Sequence, residues 1–209
     1  MTINFSDFLN QLPITKLRNF YFVQIGGFDG VFDDPIRQHI IQYDWSGIII
    51  EPQPEAFSQL IKIYQQNTKI TLLNLAITTT DQPIKLYRLK QESLTENWKN
   101  CFATITPDRG DIGQSRSENI ENITVTGKNI NNLIREQKIK KINLLQIDTE
   151  GFDYQIINSL DFFLLKPDII HYEHRHLPRK EIIACQKILS KQQYQIIPLQ
   201  YDTIAFQQY

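Results

Sequence analysis

The chain has 209 residues, 41% of them hydrophobic and 22% charged, and a formal net charge of −1. That length suits one domain with a substantial core, and the balanced charge leaves no electrostatic footprint for nucleic acid or an anionic membrane. No apolar run approaches the roughly 18 residues of a membrane span, no basic-then-apolar leader opens the chain, and Cys101 and Cys185 form neither a C-x-x-C pair nor a disulfide framework, so a cytoplasmic location is expected.

Residues 1–19 read as an amphipathic lead-in, with Phe5, Phe8, Leu9 and Leu12 at helical spacing before Pro13. Tyr21 to Ile25 is a short apolar strand, followed by a glycine-rich turn at Gly26, Gly27 and Gly30. Asp33-Asp34-Pro35 starts a helix, with an acidic cap and a proline in the first turn. Ile36, His39, Ile40 and Tyr43 continue it at the 3.6-residue period; His39 on that apolar face reads as a packing residue. Residues 47–50 form a second strand, continuous in apolar residues as buried parallel strands are, and it ends on Glu51.

Pro54 opens a helix with Phe57, Leu60, Ile61 and Tyr64 on one face, and residues 70–75 form a third strand. Residues 77–89 turn at Asp81-Gln82-Pro83 and read as a hairpin extension, whose edge could pair two subunits in a homo-oligomer. Residues 91–118 are a polar interlude carrying Trp98, Cys101 and Phe102; a stretch of that length in a compact domain is functional or mobile. Beyond it come a strand at 120–125, a helix face at Ile130, Leu133 and Ile134, a strand at 142–147 ending at Asp148, and a helix at 152–165 broken by Pro167. A strand at 169–172 leads into Glu173-His174-Arg175-His176, Pro178 starts a further helix, and 194–198 with 203–206 close the chain as an antiparallel pair.

This alternation predicts an α/β domain spanning 1–209. Its sheet is Rossmann-like, doubly wound and mainly parallel, with an antiparallel pair at the C-terminus. Ligands of such sheets lie beyond the carboxyl ends of the strands, which here carry Gly26–Gly30, Glu51, Asn74–Ala76, Asp148–Glu150 and Glu173–His174. The glycine turn lacks the dinucleotide pattern G-x-G-x-x-G, because Ile25 stands where its first glycine would be, and no P-loop sequence occurs. A glycine turn without a pyrophosphate grip, followed by Glu51 at the next strand end, suits a nucleoside ligand without phosphates. S-adenosylmethionine is the commonest, and Glu51 could accept both of its ribose hydroxyls.

Five segments carry a family resemblance: Val23-Gln24-Ile25-Gly26-Gly27-Phe28-Asp29-Gly30, Ile50-Glu51-Pro52-Gln53-Pro54, Asn74-Leu75-Ala76, the run from Leu144 through Asp148-Thr149-Glu150-Gly151 to Asp153, and Tyr172-Glu173-His174. Over roughly residues 20–207 the chain resembles an FkbM-type methyltransferase, a class I S-adenosylmethionine-dependent enzyme. The resemblance implies a seven-stranded methyltransferase sheet and methyl transfer to a hydroxyl of a sugar or secondary metabolite, with that small molecule as the partner. It points to Gly26, Gly27, Asp29, Gly30, Glu51, Pro52, Asn74, Ala76 and Asp148 as cofactor-binding residues. Gln24 departs from the pattern, standing where many methyltransferases place an acidic residue for the cofactor's amino group; Asp29 is the substitute the sequence offers.

An alcohol that attacks a sulfonium methyl must lose a proton, which requires a base or a metal. Asp148 and Glu150, two apart at a strand end, are candidates for facing the acceptor and supporting that role, and His174 is a second candidate base. The plainer role of Asp148 and Glu150, with Asp153, is an acidic helix N-terminus. Coordination of Mg²⁺ or Mn²⁺ by Asp148, Glu173 and His174 is the metal alternative. Trp98, Phe102, Arg109 and Arg116 could form an acceptor lid or a solvated insertion. The rival functions are a nicotinamide-dependent oxidoreductase on the same architecture and a non-catalytic S-adenosylmethionine-binding module.

Overall fold

The computed structural model describes residues 4–90 and 103–208. Two short helices lead in, α1 (Phe5–Asn10) and α2 (Ile14–Leu17). Alternating strands and helices follow: β1 (Tyr21–Ile25), α3 (Arg37–Tyr43), β2 (Ser46–Ile50), α4 (Pro54–Tyr64) and β3 (Ile70–Leu73). Next come β4 (Ala76–Thr78), β5 (Ile84–Leu89), β6 (Ala103–Thr104), α5 (Gly110–Gln114), β7 (Ile120–Val125), β8 (Gly127–Asn129) and α6 (Ile130–Glu136). The chain closes with β9 (Leu144–Ile147), α7 (Asp153–Ser159), β10 (Ile169–Glu173), α8 (Arg179–Lys191), β11 (Tyr194–Pro198) and β12 (Asp202–Gln207).

Seven strands form the main sheet in the order β11-β12-β10-β9-β1-β2-β3. All neighbours from β10 to β3 run parallel, and β12 pairs antiparallel with both β10 and β11. Side-chain alternation divides each strand between two cores. Val23, Ile25, Ile48, Ile50, Leu145, Ile147, Ile170 and Tyr172 pack against α6, α7 and α8. Phe22, Ile49, Leu144, Ile169 and Ile204 pack on the other side with Leu9, Leu17, Ile36, Ile40 and Leu60. Burial on both faces is why these strands read as continuous apolar runs. The lead-in is part of this second core: Trp45 donates its indole N–H to Leu17 O at 2.6 Å, and His39 pairs with Asn10 Oδ1 at 3.2 Å.

Three expectations change. Residues 77–89 are not a hairpin. β4 pairs parallel with β8, whereas β5 lies between β6 and β7; Asp81 Oδ1, accepting Asn129 N–H at 2.7 Å, ties the intervening turn to β8. β7 covers one edge of β5 along Ile84–Leu89, and β6 covers the other only at Tyr87 and Arg88. The third strand ends at Leu73, and Ala76 N–H donates to Thr126 O instead of continuing the main sheet. Helix α7 stops at Ser159, well short of 165, because Asn131 of α6 binds Ser159 O at 2.7 Å and Asp161 N–H at 2.8 Å. Within 91–118, residues 91–102 with Trp98, Cys101 and Phe102 lie outside the described residues.

Candidate active site

At the carboxyl end of β1 the backbone turns sharply. Gly26 N–H and Gly27 N–H both donate to Ile50 O, at 3.0 and 3.1 Å. Gly26 has φ +83°, and a Cβ there would lie 1.7 Å from Asp148 O; one on Gly27 would lie 2.3 Å from Ile49 Cγ2. These glycines are therefore required by the approach of β9 and β2 to the turn, before any ligand is considered. The turn, Glu51, and the ends of β9 and β10 enclose a cavity of about 310 Å³.

Glu51 is 4% exposed. Its Oε2 accepts Phe28 N–H and its Oε1 accepts Gln53 N–H, both at 2.8 Å, so the carboxylate is fixed across the mouth of the turn with remaining acceptor capacity on each oxygen. Burial raises its pKa from 4.5 to about 7, with the two N–H bonds opposing the rise and Asp29 adding to it. Asn74, expected at the cofactor, instead braces this segment, donating to Glu51 O at 2.8 Å and Pro52 O at 3.2 Å. Asp29 is spent on its own loop, accepting Val31 and Phe32 N–H. Neither Asp29, Gly30 nor Asn74 lines the cavity, whereas Gly26, Gly27, Glu51, Pro52, Ala76 and Asp148 do.

Gln24, singled out in the sequence as a departure from the family pattern, and Asp34, read there only as a helix start, both line the cavity. Gln24, 2% exposed, leaves its Oε1 without a hydrogen-bond partner. Asp34 lies beside it. Asp34 Oδ1 accepts Ile36 and Arg37 N–H, but the helix expected from Asp33-Asp34-Pro35 begins only at Arg37, with Ile36 at its N-cap, and Asp34 Oδ2 has no partner. Both residues face the cavity, so two buried acceptors await a donor there. The helix-cap signal concealed the second use of Asp34.

The acidic end is built by β9 and β10. Asp148 is exposed to the cavity rather than buried in packing. Its pKa is raised by the surrounding protein, then by the charges of Glu150 and Asp153. Asp153 itself is fully buried, accepts from Thr149 Oγ1 at 2.8 Å and is raised to about 6, mainly by burial. Glu173 is raised far above the carboxylate range, first by burial and then by Asp148 and Glu150. His176 Nε2 reaches Glu150 Oε2 at 3.1 Å and Glu173 Oε1 at 3.6 Å.

His174, the expected base and metal ligand, is turned away. Its Nδ1 pairs with Thr203 Oγ1 at 2.9 Å, and it is absent from the cavity lining. The reason is local: His174 and Arg175 N–H both donate to Tyr201 O, so the strand ends at Glu173 and alternation stops before it can place 174 and 176 on one face. Asp148, Glu173 and His174 are consequently not assembled as a ligand set; Glu150, Glu173 and His176 are. Arg109 does not face an acceptor either. It forms a two-bond ion pair with Glu181, at 2.7 and 2.8 Å, and donates to Gly151 O at 2.8 Å. Arg116 is exposed beside Glu118.

Six carboxylates line the cavity (Asp33, Asp34, Glu51, Asp148, Glu150 and Glu173) against a single guanidinium, Arg175, which lies over the Tyr201 ring at 5.1 Å. Such a surface favours a cationic ligand and disfavours a diphosphate. Apolar side chains of Leu75, Ile77, Leu86 and Ile105 complete the wall.

Solved structures resemble the chain in fold. A methyltransferase FkbM from Methylobacillus flagellatus KT superposes with a TM-score of 0.53 at 14% identity, over 90% of this chain and 44% of that one. The chain thus spans less than half the length of that protein. A precorrin-6y C5,15-methyltransferase from Geobacter metallireducens GS-15 gives 0.46 at 9% identity, over 93% of this chain and 85% of that one. No curated protein sequence matches significantly. Among the described residues no helix is long and apolar enough to cross a membrane. The model of the methyltransferase FkbM domain matches residues 24–196, which include the glycine turn, Glu51 and the acidic strand ends, and the chain belongs to the FkbM methyltransferase family.

Proposed function

We propose that this chain transfers a methyl group from S-adenosylmethionine to a hydroxyl of a small molecule, a sugar or secondary metabolite. The observation that carries the reading is the pairing, in one acidic cavity, of a preset Glu51 carboxylate with the unpartnered acceptors Gln24 Oε1 and Asp34 Oδ2. A nucleoside with a cationic amino acid tail has donors for both: a vicinal diol for Glu51 and an ammonium for Gln24 and Asp34. A nicotinamide dinucleotide would instead bring a diphosphate to a glycine turn flanked by Asp33, Asp34 and Glu51, in a cavity where Arg175 is the one Lys or Arg side chain among the described lining residues.

When bound, S-adenosylmethionine supplies an electrophilic methyl: the acceptor oxygen gains the carbon, and the carbon–sulfur electron pair leaves on sulfur as a neutral thioether. Positioning then supplies much of the acceleration. Asp148, projecting into the cavity, receives the hydroxyl proton, and the Glu150–His176–Glu173 cluster sits behind it. The carboxylate-rich wall stabilises positive charge before transfer.

Asp34→Asn is the discriminating variant, because asparagine keeps the Oδ1 acceptor of the Ile36 and Arg37 N–H groups while removing charge from Oδ2. Loss of a charged hydrogen bond of about 1.5–3 kcal/mol should weaken S-adenosylhomocysteine binding about 10- to 100-fold by calorimetry. A wild-type chain that binds NAD and not S-adenosylhomocysteine would end this reading.

A further inference from the structure

We propose that Glu150, Glu173 and His176 bind a divalent transition-metal cation, of which Mn²⁺ is the best match, at the acidic end of the cavity. The three side chains come from the loop after β9, the last residue of β10 and the turn beyond it. One donor atom of each lies within 4.8 Å of the other two. His176 Nε2 stands 3.1 Å from Glu150 Oε2 and 3.6 Å from Glu173 Oε1. Ligands at right angles around an ion, with bonds of about 2.1 Å, stand about 3 Å apart, so little movement is needed to enclose one.

A second observation points to a ligand. Glu173 Oε2 is buried without a hydrogen-bond donor, and Glu150 Oε2 makes no hydrogen bond, with only His176 Nε2 close to it at 3.1 Å. A buried carboxylate oxygen left without a donor is costly. The His176 side chain is only 7% exposed and directs one nitrogen at both carboxylates. A proton on that nitrogen would serve one oxygen at a time; a cation serves both carboxylates and the imidazole together. The supporting backbone is fixed from outside the cluster, which pre-organises the site. Thr104 Oγ1 donates to Glu150 O at 2.9 Å, and Arg109 donates to the next carbonyl, Gly151 O. Glu150 itself is held at φ +53°.

The donor set chooses the metal. Carboxylates suit Mg²⁺, Ca²⁺ or Mn²⁺, and an imidazole nitrogen suits first-row transition metals; Mn²⁺ is the carboxylate-preferring ion that is also a transition metal. Three protein ligands leave coordination positions open to the cavity. An acceptor hydroxyl in one of them would surrender its proton more readily. That consequence rests on the methyl-transfer reading; the cation site does not.

The test is titration of the chelator-treated wild-type chain with MnCl₂, followed by calorimetry and electron paramagnetic resonance. One saturable equivalent per chain is expected, with spin-echo modulation from an imidazole nitrogen. Glu173→Gln and His176→Ala should each weaken binding at least about tenfold, while His174→Ala leaves it unchanged. Melting curves identify variants that fold. Absence of a saturable Mn²⁺ site in the wild type, absence of the nitrogen modulation, or wild-type binding by folded Glu173→Gln and His176→Ala would overturn the proposal. A chain that binds S-adenosylhomocysteine but not Mn²⁺ loses this site alone; one that binds Mn²⁺ but not S-adenosylhomocysteine keeps the site and loses the methyl-transfer reading.

Discussion

Replacing Glu51 by glutamine separates what its charge contributes from what its shape contributes. The carboxylate is buried, holds two backbone N–H groups and titrates at about 7 instead of 4.5. Between those values the folded chain retains a proton that the unfolded chain has lost. Glu51 therefore lowers stability as pH rises through the interval. The loss reaches roughly 3 kcal/mol above about pH 7, at about 1.4 kcal/mol per unit. A ligand that donates hydroxyls to Glu51 prefers the ionised form, so its affinity should climb over the same interval. With a free-protein pKa of about 7 and a bound value restored to about 4.5, S-adenosylhomocysteine should bind about 30-fold more tightly near pH 8 than near pH 5.5. Glutamine keeps the volume, but its amide nitrogen opposes either Phe28 N–H or Gln53 N–H and offers one acceptor fewer. Binding near pH 8 should fall about 10- to 100-fold, and the part of the pH dependence due to Glu51 should vanish. Calorimetry on both proteins across this range measures it. The same pH slope in wild type and Glu51→Gln would refute the assignment of this carboxylate to the ligand.

The Arg109–Glu181 ion pair, with side chains 17% and 10% exposed, joins the turn before α5 to α8 and holds Gly151 O. Arg109→Gln should cost about 1–3 kcal/mol and lower Tm by about 3–10 °C for a chain of this size; an unchanged melting curve would show the clamp to be dispensable. Gly26→Ala would drive a Cβ into Asp148 O at an unfavourable positive φ. It should leave little folded protein by circular dichroism, and a native-like melt would mean that β9 can retreat from the turn.

Much of the fold was legible because its signals are local. Continuous apolar runs at Tyr21–Ile25 and Leu144–Ile147 carry the signature of strands buried on both faces, and residues following such runs lie at one edge by topology alone. That is why the sequence alone brings Gly26, Glu51, Asp148 and Glu173 to one edge, where they line one cavity. The misread segments are those where a distant partner outweighs the local pattern: Asn131 ends α7 at Ser159, and β7 takes the edge of β5.

At the site, the sequence by itself determined which residues reach the carboxyl edge, since strand period and the glycine turn are properties of adjacent residues. Only the tertiary structure decided which side chains meet there. It gave His174 to Thr203 and His176 to Glu150, because a single carbonyl, Tyr201 O, binds two successive N–H groups and ends the alternation at Glu173. It set Asp34 beside Gln24 at the cavity and engaged Arg109 with Glu181. The direction of a side chain beyond the last strand residue depends on hydrogen bonds made by segments far away in the chain, and no period in the sequence encodes them.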